Sequence, residues 1–394
     1  MPIAISAAFD GGNIEVRDAS DPSDVRLAIR PDAGGDHLQW FHFRVSGARG
    51  VPLVLHIENA GRVSYPTGFE GYRACVSEDL VGWGRAETRF DGERLTIRHT
   101  PQSDAVFFAY FAPYPEQRHL ERVAGWQRHP EVTLERLGPT VDGRDLDLLI
   151  VGDPARDAPR VWVQARQHPG ETMAEWLVEG LLDRLLDDAD PVARGLRAAA
   201  SWFVIPNLNP DGSARGHLRN NAAGANLNRA WSAPDPERSP EVLAVRDRME
   251  ATGVDLFLDV HGDEALPYNF IAGAEGTEGW GEAQAARQQR FLDALAAVSP
   301  DFQTAHGYPK SRPGQANLAM ATNWVGQRFG CLAMTLEQPF KDTADTPRPE
   351  GWSPPRAAAL GRAVLTAIWL TRRDWSEGSA GPRGGGETFS PTAK

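Results

Sequence analysis

Cysteine is almost missing from this chain: Cys75 and Cys331 are the only two in 394 residues, far apart and in no CxxC spacing. Two isolated thiols build neither a disulfide scaffold nor a cysteine zinc cluster, and they fit a reducing compartment. Positive charge is also short, with Lys plus Arg 41 against Asp plus Glu 53 and a formal net charge of −12. Bulk electrostatics therefore excludes a nucleic-acid binder. Long apolar runs are absent too: AVLTAIWL at 363–370 falls well below the roughly 20 residues a membrane span needs. The N-terminal MPIAISAAFDGG has no basic stretch and only about six apolar residues before Asp10, too few for a secretory segment. These absences predict a cytoplasmic protein with neither a nucleic-acid nor a membrane partner. What is present, 41% hydrophobic and 24% charged residues, supplies a full core, and the length suggests two or three domains.

The first part reads as short alternating segments between turn residues: WFHFRV (40–45), PLVLHI (52–57), RLTIRH (94–99) and AVFFAYFA (105–112). Period-two alternation turns one face of each strand inward, which predicts an N-terminal antiparallel β-sandwich over 1–115. A short helix starting near Pro115 and stopped by Pro130 marks the join. Beyond it the pattern changes. Apolar runs at 147–151, 160–165, 201–209, 254–261 and 331–337 suit strands buried on both faces. Helices are expected over 171–188, 240–252, 281–298 and 355–373, where apolar residues recur at three- and four-residue spacing. A C-terminal α/β/α domain with a mixed central sheet over 116–375 follows. The Gly-, Ser- and Pro-rich tail, 376–394, is expected to be disordered.

Polar clusters sit where the buried strands end, the place at which open α/β sheets present ligands. In RQHPGETMAEW, a Pro-Gly turn lets His168 and Glu171 converge on one point. Two donors bind a metal weakly, and His261 in LDVHGDE, also at a strand end, is the candidate third. Two histidines and a glutamate leave a fourth position for water, the hydrolytic arrangement of a zinc site. A carboxylate outside that set must carry the water proton, and Glu337 in MTLEQPF, closing an apolar strand, fits. The loop NLNPDGSARGHLRNNAAGANLNRAW (207–231) is too long and polar for a mere connector. Within it Asn228 and Arg229 suit a carboxylate, a peptide α-carboxylate being the natural guest, and Arg219 suits the oxygen of a carbonyl under attack. Taken singly, each has a plainer reading. A strand-end histidine can be structural, Glu337 can be a cap, and Arg215, Arg219 and Arg229 can be solvated loop charges.

HPGETMAEW, NPDGSARGHLRNNAAGANLNRAW, DVHGDE and MTLEQPF, in this order, resemble the M14 zinc carboxypeptidases, and within them the cytosolic carboxypeptidase subfamily of bacterial type. The resemblance covers roughly 35–375 and rests on four ordered motifs, where HxxE alone would be weak. It implies one Zn2+ per chain on His168, Glu171 and His261, with Glu337 as general acid/base and Arg219 as oxyanion stabiliser. It implies Asn228 and Arg229 as the grip on the C-terminus of a peptide or protein substrate. Upstream of Glu337 the chain departs from the pattern. The arginine that glutamate-removing members carry shortly before the tryptophan is missing, and Asn317, Thr322 and Asn323 occupy its neighbourhood, with Lys310 and Arg312 the nearby cations. Counted from Trp324, the family's mobile tyrosine position falls on Gln315, and Tyr308 is the available substitute. A zinc amide deacylase of N-acyl amino acids and a non-catalytic module that binds C-termini are the alternatives. The N-terminal sandwich speaks against the first, having no purpose for a tiny substrate, and Glu337 against the second. The sequence indicates no oligomeric state.

Overall fold

The computed structural model describes residues 3–375, so the tail expected to be disordered lies outside the described residues. The early alternating segments form two five-stranded sheets. One runs in the order Ala4–Ser6, His42–Ser46, Ala105–Ala109, Cys75–Ser77, Gly84–Arg85; the other in the order Glu15–Asp18, Val25–Ala28, Leu53–Ile57, Leu95–His99, Glu87–Phe90. All pairs are antiparallel except Val25–Ala28 with Leu53–Ile57, which run parallel because the chain leaves one strand to build His42–Ser46 in the other sheet before returning. Phe41, Phe43, Phe108 and Tyr110 fill the space inside. The helix Glu116–Trp126 follows.

The second part is a seven-stranded sheet in the order Val132–Pro139, Asp145–Val151, Ser201–Ile205, Arg160–Ala165, Leu256–Val260, Leu332–Glu337, Phe270–Gly273. Its four inner strands are parallel and the pairings toward both edges antiparallel, so the sheet is mixed. Both faces are covered: Val161 and Val163 belong to one apolar core and Trp162 to the other. This explains the unbroken apolar runs. Helices Met173–Leu185 and Pro354–Thr371 pack on one side, backbone against backbone. A Cβ on Gly180 would lie 2.1 Å from the Ala358 carbonyl oxygen, and one on Gly361 would lie 2.0 Å from that of Leu177, so only glycine fits at either place. Pro240–Thr252 and Ala321–Phe329 cover the other face through Val242, Val245, Met249 and Val325. The edge strand 132–139 and the helix 321–329 carry no continuous apolar run, and the run at 270–273 is short, which is why the pattern passes over them.

Candidate active site

His168, Glu171, His261 and Glu337 gather at the C-terminal ends of the inner parallel strands. The strand Arg160–Ala165 stops at Arg166, whose φ of 55° lies in the left-handed region. Such a backbone costs a non-glycine residue about 1–3 kcal/mol. Three bonds hold it: the guanidinium donates to the Tyr114 carbonyl (3.0 Å), to Glu175 (2.8 Å) and to the Pro169 carbonyl (2.5 Å). The turn so fixed delivers His168, and Glu171 follows just ahead of the helix Met173–Leu185.

His168 Nδ1 lies 2.8 Å from one oxygen of Glu171, and His261 Nδ1 lies 2.8 Å from the other. The three donors are within 4.8 Å of one another, and none of the residues is more than 2% exposed. Both imidazoles therefore turn the same nitrogen inward. Their outward nitrogens have partners: His168 Nε2 meets Asn226 Oδ1 at 3.1 Å, and His261 Nε2 meets Asp259 Oδ2 at 3.0 Å. Asp259 is itself held by the amides of Gln164 and Gln167. Such outer partners orient imidazoles toward a metal. Burial and the nearby Arg219 push His168 down to about 4, so it is neutral near pH 7. Burial would also lower His261, but Asp259 and Glu171 outweigh it and raise this imidazole well above its usual value. Burial works against the Glu171 carboxylate, yet His168 and His261 hold it far below the ordinary range.

Glu337 ends its strand beside this group. One oxygen accepts from the Tyr308 hydroxyl at 3.2 Å; the other is buried with no hydrogen-bond partner. Burial, reinforced by Glu171, Asp263 and Glu264 and opposed by His261, raises its pKa well above a normal carboxylate. Glu264 is pushed to about 8, mainly by burial, with Arg219 pulling the other way. Buried carboxylates thus crowd this region, with Arg219 4.0 Å from Glu171 and Arg229 also interacting with Glu171. With two inward imidazole nitrogens, a carboxylate and an unpartnered carboxylate oxygen beside them, the residues fit a zinc ion.

Arg219 Nη1 lies 4.0 Å from Glu171, and its guanidinium carbon lies 5.6 Å from the centre of the Tyr65 ring. Asn228 Oδ1 accepts from the Ala321 amide at 2.9 Å, and its Nδ2 lies 3.5 Å from His261 Nε2. Arg229 is exposed, its guanidinium donating to the Asn228 carbonyl at 2.6 Å, and partial desolvation together with Arg219 lowers its pKa. Arg215 is elsewhere, paired with Asp142 on the surface. A cavity of about 500 Å³ runs from Asn228 and Glu337 past Ile271, Thr322, Asn323 and Thr335 to Lys310. Two expectations are corrected. Gln315 sits in an exposed turn, and it is Tyr308 that reaches the site, donating to Asp263 at 2.5 Å as well as to Glu337. Asn317 is exposed and outside the cavity lining, its carbonyl bound by Asn323. Counting from Trp324 fails here because the connection before the helix 321–329 sets the tyrosine's reach, not its distance in residues. Asp259, Asn226, Glu264 and Tyr65 were missed; Asp259 had a signal, lying two residues before His261 and so on the same side of an extended strand.

Residues 123–358 match the zinc carboxypeptidase family, and residues 5–111 match the cytosolic carboxypeptidase N-terminal domain. The chain belongs to the M14 zinc carboxypeptidase family and is a metallocarboxypeptidase. It is 49% identical over 369 residues to an uncharacterised protein of Zymomonas mobilis, covering 93% of this chain and 96% of that protein. Cytosolic carboxypeptidase 1 of Mus musculus is 25% identical over 321 residues; the match covers 69% of this chain but only 26% of that longer protein. The metallo-carboxypeptidase of Pseudomonas aeruginosa, solved in complex with (2-guanidinoethylmercapto)succinic acid, superposes with a TM-score of 0.91 at 46% identity, covering 94% of this chain and 100% of that one. Among the described residues, no helix is long and apolar enough to cross a membrane.

Proposed function

We propose that the chain removes C-terminal residues from peptides or proteins, using one zinc ion held by His168, Glu171 and His261. What supports this most is the shared inward turn of two Nδ1 atoms onto one carboxylate, beside a Glu337 oxygen that has no partner. Bound zinc supplies Lewis acidity at the scissile carbonyl and lowers the pKa of nearby water. The Asn228 amide and Arg229 bind the terminal carboxylate and so orient the last peptide bond. Arg219 donates to the carbonyl oxygen as charge grows on it, and removing such a donor typically costs about 10²–10³ in kcat. Glu337 takes a proton from the attacking water and passes it to the departing amine as the C–N bond breaks. Burial raises the Glu337 pKa, which favours its uptake of the water proton. The (2-guanidinoethylmercapto)succinic acid in the Pseudomonas structure carries carboxylates, the group we assign to Asn228 and Arg229 here.

No arginine is among the described residues lining the cavity beyond Glu337, and Thr322, Asn323 and Thr335 are uncharged. Lys310 and Glu275 line the same cavity and offset one another in charge, and a neutral C-terminal side chain is the one we propose it takes. We place the domain division near 115, between the paired sheets and the sheet that carries the site, and assign the protein to the cytoplasm. The test is release of the last residue from N-blocked peptides that differ only there, by zinc-loaded protein, with N-acyl amino acids alongside. Peptide cleavage with N-acyl amino acids untouched is expected; the reverse pattern indicates the deacylase, and no turnover at all a binding module. Glu337→Gln should keep its zinc by elemental analysis while kcat falls about 10²–10⁴-fold. A near-normal rate in that variant removes Glu337 from the proton shuttle.

A further inference from the structure

The loop carrying Arg219 is held by connections between the N-terminal strands. Asp32 is buried, and its carboxylate accepts three successive backbone N–H groups: Leu218 at 2.6 Å, Arg219 at 2.8 Å and Asn220 at 2.8 Å. Successive N–H groups of this kind form an anion-binding concavity, and here the anion is a side chain from 187 positions away in the chain. Adjacent contacts reinforce it. The Ala33 N–H donates to His217 Nε2 at 3.0 Å, while His217 Nδ1 faces the Asn220 carbonyl at 2.9 Å, and Asn13 donates to the Gly216 carbonyl at 2.8 Å. Gly34 and Gly224 touch so closely that a Cβ on Gly224 would lie 2.3 Å from the Gly34 carbonyl oxygen.

The guanidinium end is approached from the same side. Tyr65 presents its ring to Arg219, and Gln39 fixes the Tyr65 backbone by accepting from its N–H at 2.9 Å and donating to its carbonyl at 3.0 Å. Among the described residues, the Arg219 guanidinium makes no hydrogen bond within the chain, so its donors stay available to substrate.

We propose that Asp32 and Tyr65 are positioning residues for Arg219, Asp32 clamping its backbone and Tyr65 backing its guanidinium, so that hydrolysis depends on the connections between the N-terminal strands. The proposal rests on Arg219 facing the scissile carbonyl. An oxyanion donor works only within about 2.7–3.1 Å of the developing charge, and a displacement of about 1 Å can cost 10²-fold. In Asp32→Asn, an amide NH2 replaces one acceptor and faces backbone N–H groups, so the clamp opens while the side-chain volume stays the same.

The experiment is a cycle of Asp32→Asn, Arg219→Ala and the double variant, with kcat and KM measured separately on the full zinc-loaded chain and amide hydrogen exchange followed at 218–220. Asp32→Asn should lower kcat about 10–100-fold with KM within about threefold, should add less than about twofold in the Arg219→Ala background, and should release the three amides. Equal losses in both backgrounds, an unchanged kcat or unchanged exchange would overturn the proposal. If Asp32→Asn does not fold, Tyr65→Leu takes its place in the kinetic cycle with the same two outcomes. If the parent chain hydrolyses nothing, the proposed function fails, and amide exchange alone then decides whether Asp32 holds the loop.

Discussion

His168, Glu171 and His261 leave two neighbouring parallel strands and are buried, whereas Tyr308, on the connection after Asp301, is 44% exposed, and Lys310 beside it is exposed as well. Both regions border the same space, but they are built differently. The first is set by a sheet buried on both faces, with each imidazole tied at its far nitrogen; the second is a loop whose contacts to the site are two bonds from one hydroxyl. In our reading the chemistry is carried by strand ends, while Tyr308 reaches the same space from a connection. Damage to the first should abolish hydrolysis, and damage to the second should only change what is hydrolysed and how tightly it is held.

The largest effect should come from His168→Ala or His261→Ala, which remove an inward nitrogen. Elemental analysis should find the zinc gone and hydrolysis at background, and a variant that keeps stoichiometric metal and turnover would break the comparison. Next in size is Asp259→Asn, which takes the charge from behind His261. Zinc affinity, read by chelator competition, should fall about 10–100-fold while the fold survives. Tyr308→Phe comes third: it deletes the bonds to Asp263 and Glu337, and KM should rise about two- to tenfold with kcat held within about threefold, in keeping with uniform binding. A collapse of kcat instead would move Tyr308 into the chemical half.

The smallest effect concerns support beneath the metal corner. Burial alone would lower His119, but Glu175 and Asp147 outweigh it and raise this imidazole to about 9 from 6.5. A raised histidine pKa means that the folded state binds the proton more tightly, so its stabilisation is complete below pH 6.5 and is lost as pH rises through about 9. Glu175 also holds Arg166 under the His168 turn. Thermal midpoints between pH 6 and 10 should fall more steeply in the parent chain than in His119→Asn; parallel curves would show that the pair contributes nothing.

Residues that interrupt a local pattern were legible in the sequence. His261 and Glu337 end apolar strands, and His168 and Glu171 bracket a Pro-Gly turn, so a polar residue against an apolar background marks each. The helices 240–252 and 282–298 were legible for the converse reason, a steady apolar spacing. Asp32 and Tyr65 had no such mark. Asp32 meets its partners across nearly half the chain, and nothing in PDAGGD distinguishes it from a turn aspartate until the sheets are assembled. Counting pointed to Gln315, where Tyr308, named as its substitute, reaches the site, because a loop can bring any of several residues to one point, whereas a strand of fixed rise cannot.

The glycine contact between the helices Met173–Leu185 and Pro354–Thr371 has a mechanical meaning. The first of these helices begins two residues after Glu171 and is pinned near its middle at Gly180, so a shift at the pin is passed along the helix toward the carboxylate we propose as a metal ligand. A methyl group inserted at the pin has nowhere to go but into backbone, and the resulting tilt would be felt at Glu171. A lesion remote from the substrate would then present itself as a defect in metal retention.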